Sequence, residues 1–116
     1  MKYRKFDVVL VDFGNDTLGS EQGGIRPAVI VQGNNGNIHS TTALAMPCST
    51  KIKNMYQPTH TLIRKGRRNG LKHDSVLLGE CMRQISELRI KKYIGTIDDP
   101  NTRKEIKRVY DAGFND

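Results

Sequence analysis

Short apolar runs rich in β-branched residues are spread along the chain and predict a protein built mainly from β-strands. The segment Phe6–Phe13 (FDVVLVDF) is one such run, and the polar residues Gly14, Asn15 and Asp16 that follow it are typical of a turn. Pro27–Gln32 (PAVIVQ) is the second predicted strand. Five more strands are predicted further along: Thr42–Met46, Thr59–Ile63, Ser75–Glu80, a sixth near Arg83–Ile85 and a seventh near Tyr93–Ile97.

Two segments carry helical signals instead. Ser86 can cap a short turn over Glu87–Ile90. Asp98 or Asp99 can cap a C-terminal helix that has Pro100 in its first turn. Several short strands and one terminal helix predict a small, strongly curved barrel or sandwich, formed as one domain by residues 1–116.

The predicted connections are long and polar. Four are defined by composition: Gly14–Gly24, Gly33–Ser40, Cys48–Pro58 and Arg64–His73. Loops on a rigid scaffold often carry binding and catalytic residues, so we expect a functional site among them.

The charge balance indicates an anionic partner. Nineteen Lys and Arg face 12 Asp and Glu, giving a net charge of +7 and a pI near 9.7. A small basic domain of this kind suits a nucleic acid or an acidic protein, and charge alone does not choose between them.

The apolar pattern and the cysteine content predict where the protein acts and whether it needs a cofactor. The sequence contains no run of 18 apolar residues, so we expect no transmembrane span. Asp7 and Asp12 interrupt the apolar run that a signal peptide would need. Cys48 and Cys81 have no metal-binding spacing and are interpreted as free thiols in a reducing cytosol. We therefore expect a cytoplasmic protein without a metal or other cofactor.

The stretch Gly19–Pro27 (GSEQGGIRP) is the strongest candidate for chemistry. Its paired glycines allow a turn that other residues cannot make, and Arg26 then opens a strand. A guanidinium offers a planar fork of donors that matches a phosphate. The alternative is a loop clasp in which Arg26 pairs with Glu21 or Asp16, and the residues alone do not decide between the two.

Hydroxyl and basic residues supply weaker candidates. Ser49 and Thr50, followed by Lys51, can donate to phosphate oxygens, although both are also ordinary turn residues. His60 alternates on a strand and is interpreted as structural or surface-exposed. The basic residues of Arg64–His73 either guide a polyanion or form a mobile solvated loop, and those of the last helix are assigned to its wet face: Arg103, Lys104, Lys107 and Arg108.

These segments together resemble a known family. Asp7–Phe13 followed by GSEQGGIRPAVIVQ resembles the opening of the MazF/PemK toxins of bacterial toxin–antitoxin pairs. The resemblance continues through GNNGNIHSTTALAMPCST, PTHTLI and DSVLLGECMRQIS and ends near Asp98, so that it covers roughly Phe6 to Asp99. The version here is most similar to the Gram-positive branch.

The resemblance implies a fold, an activity and partners. The fold is a small SH3-like (PemK/CcdB-type) curved β-barrel with a short helix and a C-terminal α-helix. The activity is sequence-specific, metal-independent cleavage of single-stranded mRNA by an endoribonuclease, through attack of the ribose 2′-OH, leaving a 2′,3′-cyclic phosphate and a 5′-OH. The implied partners are a second copy in a homodimer and a MazE-like antitoxin, and the implied result of cleavage is growth arrest.

Carried over position by position, the resemblance also implies site residues. Arg26 matches the family's catalytic arginine, and Ser49 stands where many relatives have threonine; Thr50 next to it could share that role. The resemblance matches Glu21 and Gln22 to the loop that covers the RNA. On chemical grounds Glu21 is the candidate general base, because a carboxylate can take the proton and no histidine is well placed. The residues expected to contact RNA are Gln22, Asn34, Asn37, Thr50, Lys51, Glu80 and Arg83. Two alternatives stay open: a gyrase-poisoning toxin on the same fold, and an inactive relative that only binds RNA or an antitoxin.

Overall fold

The computed structural model describes residues 1–14, 23–52 and 56–114. It contains seven strands: β1 (Asp7–Asp12), β2 (Ile25–Ile30), β3 (Thr42–Ser49), β4 (His60–Ile63), β5 (Ser75–Leu78), β6 (Arg83–Ser86) and β7 (Ile90–Thr96). Two α-helices, α1 (Asn34–His39) and α2 (Pro100–Phe114), and two 3₁₀ turns, Gly79–Cys81 and Glu87–Arg89, complete it. No helix in the described part of the chain is long and apolar enough to cross a membrane.

All strand pairs are antiparallel, and β3 is the central strand. The strand order is β4-β5-β3-β2-β1-β7, and β6 pairs with β3 as well. One edge of β3 pairs with β2, while the other edge pairs with β6 along Thr42–Ala45 and then with β5 along Cys48–Ser49. The sheet therefore curls around β3, and this confirms the predicted curved, mainly β architecture.

Two apolar cores lie on opposite faces of this sheet. Val8 and Val9 are both fully buried yet belong to different cores, because neighbouring side chains in a strand point to opposite faces. We call the core that includes α2 the helix-side core; its members include Val8, Val29, Met46, Cys48, Leu77, Ile106 and Val109. The second core contains Val9, Val11, Phe13, Ala28, Ile30, Ala43, Ala45 and Ile85.

Several predicted boundaries differ from the observed ones. The prediction of Gly33–Ser40 as a loop was wrong, because this segment contains helix α1. The Lys5 backbone N–H donates a hydrogen bond to Asn34 Oδ1 (2.9 Å) and so connects α1 to the N-terminal segment. Strand β3 continues to Ser49, beyond the predicted end at Met46, because β5 pairs with its last residues. Strand β7 begins at Ile90, before the predicted Tyr93.

The end of β5 has a steric explanation. The strand was predicted to reach Glu80, but it stops at Leu78 and a 3₁₀ turn begins at Gly79. A β-carbon at Gly79 would lie 2.8 Å from the carbonyl oxygen of Thr59 and still closer to the Val109 side chain on α2. Glycine is therefore required where the chain turns beneath the helix.

The basic loop Arg64–His73 is built into the fold and lies across β7. The side-chain oxygen of Asn69 accepts hydrogen bonds from the backbone N–H groups of Gly66 (3.1 Å) and Leu71 (2.9 Å). The Thr96 N–H donates to the carbonyl oxygen of Arg68 at 2.8 Å. Gly70, with φ at +72°, passes so close to β7 that a β-carbon there would overlap the Ile94 carbonyl group.

Candidate active site

The first strand and the second are joined by a hydrogen-bonded stem. The Phe13 N–H donates to the Gly24 carbonyl (2.9 Å), and the Gly24 N–H donates to the Gly14 carbonyl (2.7 Å). Both glycines have positive φ values, +81° and +75°, which favour glycine at these positions. This stem fixes where β2 begins. The predicted site residues Glu21 and Gln22 lie outside the described residues.

Arg26 is the second residue of β2 and is half-buried. It lies opposite Val11 of β1, and its Nε donates to the carbonyl oxygen of Gly23 at 2.9 Å. Burial raises the pKa of the neighbouring Cys48 thiol to about 12, and the positive charge of Arg26 opposes that rise. The guanidinium is therefore electrostatically coupled to the end of β3.

Ser49 lies at the end of β3, on the same side of the sheet as Arg26. The β2–β3 ladder ends at the pair Ala28–Pro47. Arg26 lies two residues beyond Ala28 and Ser49 two residues beyond Pro47, so each has the same face of the sheet as its ladder residue. Directly opposite residues in antiparallel strands project from the same face. The Ser49 Oγ accepts a hydrogen bond from the Lys51 N–H (3.2 Å) and keeps its own proton available for donation.

Thr50 and Lys51 lie just past the strand and are exposed. Thr50 lines a cavity together with Leu10, Pro27 and Cys48, and the Cys48 side chain belongs to the helix-side core. The register therefore favours Ser49 over Thr50 as the hydroxyl that accompanies Arg26.

Arg83 adds a second guanidinium to the face that carries Arg26. It pairs with Ala45, a member of the second core, and its guanidinium carbon lies 5.8 Å from the centre of the Phe13 ring. Arg83 is half-buried, so its charge is held over an apolar surface.

Glu80 is held by a separate network. Its carboxylate bonds to His60 Nε2 (2.8 Å), and it accepts hydrogen bonds from Thr59 Oγ1 (2.6 Å) and Gln57 Nε2 (3.0 Å). His60 is 7% exposed, in line with its interpretation as a structural residue. The Glu80 side chain keeps about a third of its surface exposed, at 34%.

Asn34 and Asn37, the two predicted RNA-contacting asparagines of α1, are distant from Arg26. Helix α1 follows the far end of β2, and the four-residue step from Arg26 to Ile30 spans roughly 13 Å of extended chain. The Asn34 side chain already accepts a bond from Lys5. The side chain of Asn37 is outside the described part of the structure.

Sequence patterns missed one charged neighbour of the stem. Arg89 Nη1 donates to the Asp12 carbonyl oxygen at 3.1 Å. A β-carbon at Gly14 would lie 3.5 Å from the same Arg89 nitrogen. Only its place in a basic chain could have drawn attention to Arg89, because the contact joins residues 77 positions apart. Within the described ranges, no group of three or more His, Cys, Asp or Glu residues could hold a metal ion.

Comparison with known proteins assigns the family. Residues 4–109 match the PemK-like, MazF-like toxins of type II toxin–antitoxin systems. The chain belongs to this family. It is 38% identical over 109 residues to endoribonuclease MazF of Staphylococcus saprophyticus, a match that covers 94% of this chain and 86% of that protein. The predicted family and enzyme class, a MazF/PemK-type endoribonuclease toxin, are confirmed.

Solved structures support the fold at lower identity. A mycobacterial endoribonuclease in complex with its cognate antitoxin superposes with a TM-score of 0.78 at 18% identity, covering 97% of this chain and 94% of that one. MazF from Deinococcus radiodurans gives a TM-score of 0.74 at 18% identity, with coverage of 95% and 94%.

Proposed function

We propose that this MazF/PemK-type toxin cleaves single-stranded mRNA at a short sequence in the cytoplasm, without a metal, and thereby arrests growth. The observation that carries the proposal is the β2–β3 register, which puts Arg26 and Ser49 on one face of the sheet, next to the glycine stem. A guanidinium and a hydroxyl on one face can together bind the oxygens of a phosphate.

The cleavage step moves one proton and exchanges one phosphorus–oxygen bond for another. A base removes the proton of the ribose 2′-OH, the 2′-oxygen bonds to the adjacent phosphorus, and the bond from phosphorus to the 5′-oxygen breaks. The 5′-oxygen takes up one proton from solvent, so the products are a 2′,3′-cyclic phosphate and a 5′-OH. The negative charge on the phosphorane rises on the way to the transition state, so donors placed there lower the barrier. Arg26 supplies charge and paired donors, and Ser49 Oγ–H donates to a non-bridging oxygen.

Glu21 is the proposed base that removes the proton from the 2′-OH. A carboxylate can take that proton, and no histidine matches the family's motif. Replacing Glu21 with Gln should flatten the acid side of the pH–rate profile. An unchanged profile would assign the proton to another group.

Base recognition is proposed for seven polar or charged side chains, of which Asn34 and Asn37 on α1 lie away from Arg26. Single-stranded RNA is read through the edges of unstacked bases, for which carboxylates and amides are suitable acceptors and donors. Glu80 is presented in a fixed orientation by His60, Thr59 and Gln57, and it can accept from an exocyclic amine. Gln22, Asn34, Asn37, Thr50, Lys51 and Arg83 complete the proposed RNA-contacting set.

The proposed partners are a second copy and a small acidic antitoxin. Solved relatives of the same fold include an endoribonuclease bound to its cognate antitoxin and a MazE–MazF pair from Deinococcus radiodurans. The net charge of +7 suits an acidic partner that competes with RNA for the same surface.

The deciding experiment maps the cut ends of a long single-stranded RNA incubated with the protein in EDTA. We expect discrete fragments with 5′-OH ends from the wild type, and a rate about 100- to 1000-fold lower from Arg26→Ala. The matched control is Arg67→Ala, an exposed arginine on the basic loop. Cleavage by Arg26→Ala at the wild-type rate would refute the assignment. A folded wild type that cuts none of several RNAs would favour gyrase poisoning or binding alone.

A further inference from the structure

A cavity of about 290 Å³ lies beside the Arg26–Ser49 pair, on the opposite face of the sheet. Four side chains form its apolar wall: Leu10 on β1, Pro27 on β2, Leu71 on the basic loop and Ile94 on β7. Pro27 directly follows Arg26, and Thr50, which also lines the cavity, directly follows Ser49. The cavity therefore begins one residue away from each member of the pair.

The rim of this cavity is basic. Lys72 and His73 come from the loop Arg64–His73, and Lys92 comes from β7; all three are exposed. None of the residues lining the cavity is acidic, and neither lysine forms a salt bridge to a described residue. Their charge is therefore available to an anion.

The wall is also rigid. Gly70 is pressed against the Ile94 carbonyl group in a left-handed conformation, and the next residue, Leu71, is 6% exposed. The loop that supplies Lys72 and His73 is thereby anchored to the strand that supplies Lys92. A preformed site loses less conformational entropy when a ligand binds.

A larger groove of about 570 Å³ on the other side of the same loop is electrostatically different. Arg68 there pairs with Asp98, and Asp99 lies on the same wall. The two carboxylates offset two of the three arginines that line this groove, Arg64, Arg67 and Arg68, whereas the lysines of the smaller cavity have no carboxylate beside them. The smaller cavity is therefore the better anion site.

We propose that the cavity binds one nucleotide of the RNA flanking the cleaved phosphate, with its base against Leu10, Pro27 and Ile94 and its phosphate between Lys72 and Lys92. This inference rests on the proposed ribonuclease function and extends the RNA surface around the strand ends to the helix-side face. An apolar wall suits the face of a base, and two lysines suit a phosphate.

The test compares Lys72→Ala/Lys92→Ala with Lys104→Ala/Lys107→Ala, which removes two exposed lysines from α2. The probe is a single-stranded RNA made resistant to cleavage by a 2′-deoxy sugar at the mapped cut position. We expect the first variant to bind about five- to twenty-fold more weakly, since each exposed charge pair contributes up to a factor of about five. The slope of log affinity against log salt should fall by about 0.7 for each phosphate that the variant no longer neutralises.

A photoreactive base placed at successive positions next to the cut supplies a positional readout. We expect cross-links in the peptides that contain residues 70–75 and 92–94. Cross-links confined to other peptides, or two double variants with equal affinity and slope, would overturn the inference while leaving the ribonuclease function intact. A wild type that neither binds nor cuts RNA would refute the proposed function itself.

A measurement of the molecular mass in solution tests the alternative that a second copy of the chain, and not RNA, covers the cavity. If Lys72→Ala/Lys92→Ala changes the mass in solution and leaves RNA affinity unchanged, the cavity is a contact between copies of the chain and the inference fails.

Discussion

Replacing Gly70 with Ala tests how the basic loop is held against β7. A non-glycine residue with φ near +72° costs about 1 kcal/mol or more for the left-handed backbone. The new β-carbon would also lie 2.6 Å from the carbonyl carbon of Ile94 and closer still to its oxygen. Carbon atoms in contact are normally about 3.5 Å apart, so the loop must move by roughly 1 Å.

That displacement has an energetic consequence that can be separated from the backbone term. It breaks or weakens the bond from the Thr96 N–H to the Arg68 carbonyl, which contributes about 1 kcal/mol, and it loosens the packing of Leu71. The free energy of unfolding should therefore fall by about 3 kcal/mol. Gly24→Ala is the control, because Gly24 has a similar φ of +75° but nothing within 4 Å of its β-carbon position. It should lose only about 1 kcal/mol.

Urea unfolding of the two variants at one protomer concentration measures the difference. With a slope near 2 kcal/mol per M, a gap of 2 kcal/mol corresponds to a midpoint about 1 M lower for Gly70→Ala than for Gly24→Ala. Equal midpoints would show that the loop yields without cost, and the argument for a preformed cavity would then lose its support.

Two further predictions address the site and the helix start. Ser49→Ala should slow cleavage about 100-fold while Ser49→Thr stays close to wild type, because only the donated hydrogen bond matters; equal rates for Ser49→Ala and wild type in initial-rate assays would reject that role. Hydrogen bonds from Thr102 to Asp99 hold the pKa of that carboxyl below its ordinary value of 3.8, so this contribution to stability is present above about pH 4 and is lost as the pH falls through the folded-state pKa. Asp99→Asn keeps a good capping residue but removes the titrating carboxyl. The unfolding midpoint should therefore drop less from pH 7 to pH 3 in the variant than in the wild type. An equal drop in both proteins would contradict this assignment.

Local patterns predicted the elements whose signals are local. The β-branched runs located the seven strands, and the Asp-Asp-Pro sequence at residues 98–100 located the start of α2. Helix α1 escaped prediction because Asn34–His39 contains a glycine and three asparagines, which are weak helix formers.

The site was predicted in part for the same reason. The motif around Arg26 identified that residue, and the position of Ser49 followed from the family, but their shared face depends on the register between β2 and β3. The assignment of Arg103 to the wet face of the helix was wrong, because its Nε donates to the Ile97 carbonyl and its guanidinium lies over the Phe6 ring. Arg108 is exposed as assigned, and it also donates to the carbonyls of Pro58 and His60. Such contacts join distant parts of the chain and have no signature in spacing.

One edge of β3 pairs with both β6 and β5, and this limits where residues can be inserted during evolution. A single residue inserted between Ala45 and Ser49 would reverse which face every later side chain of the strand occupies. It would remove Ser49 from the face of Arg26 and at the same time misalign the pairing with β5. One insertion there would damage both folding and cleavage, so length differences among functional descendants of this sequence belong in the connections and not in this strand.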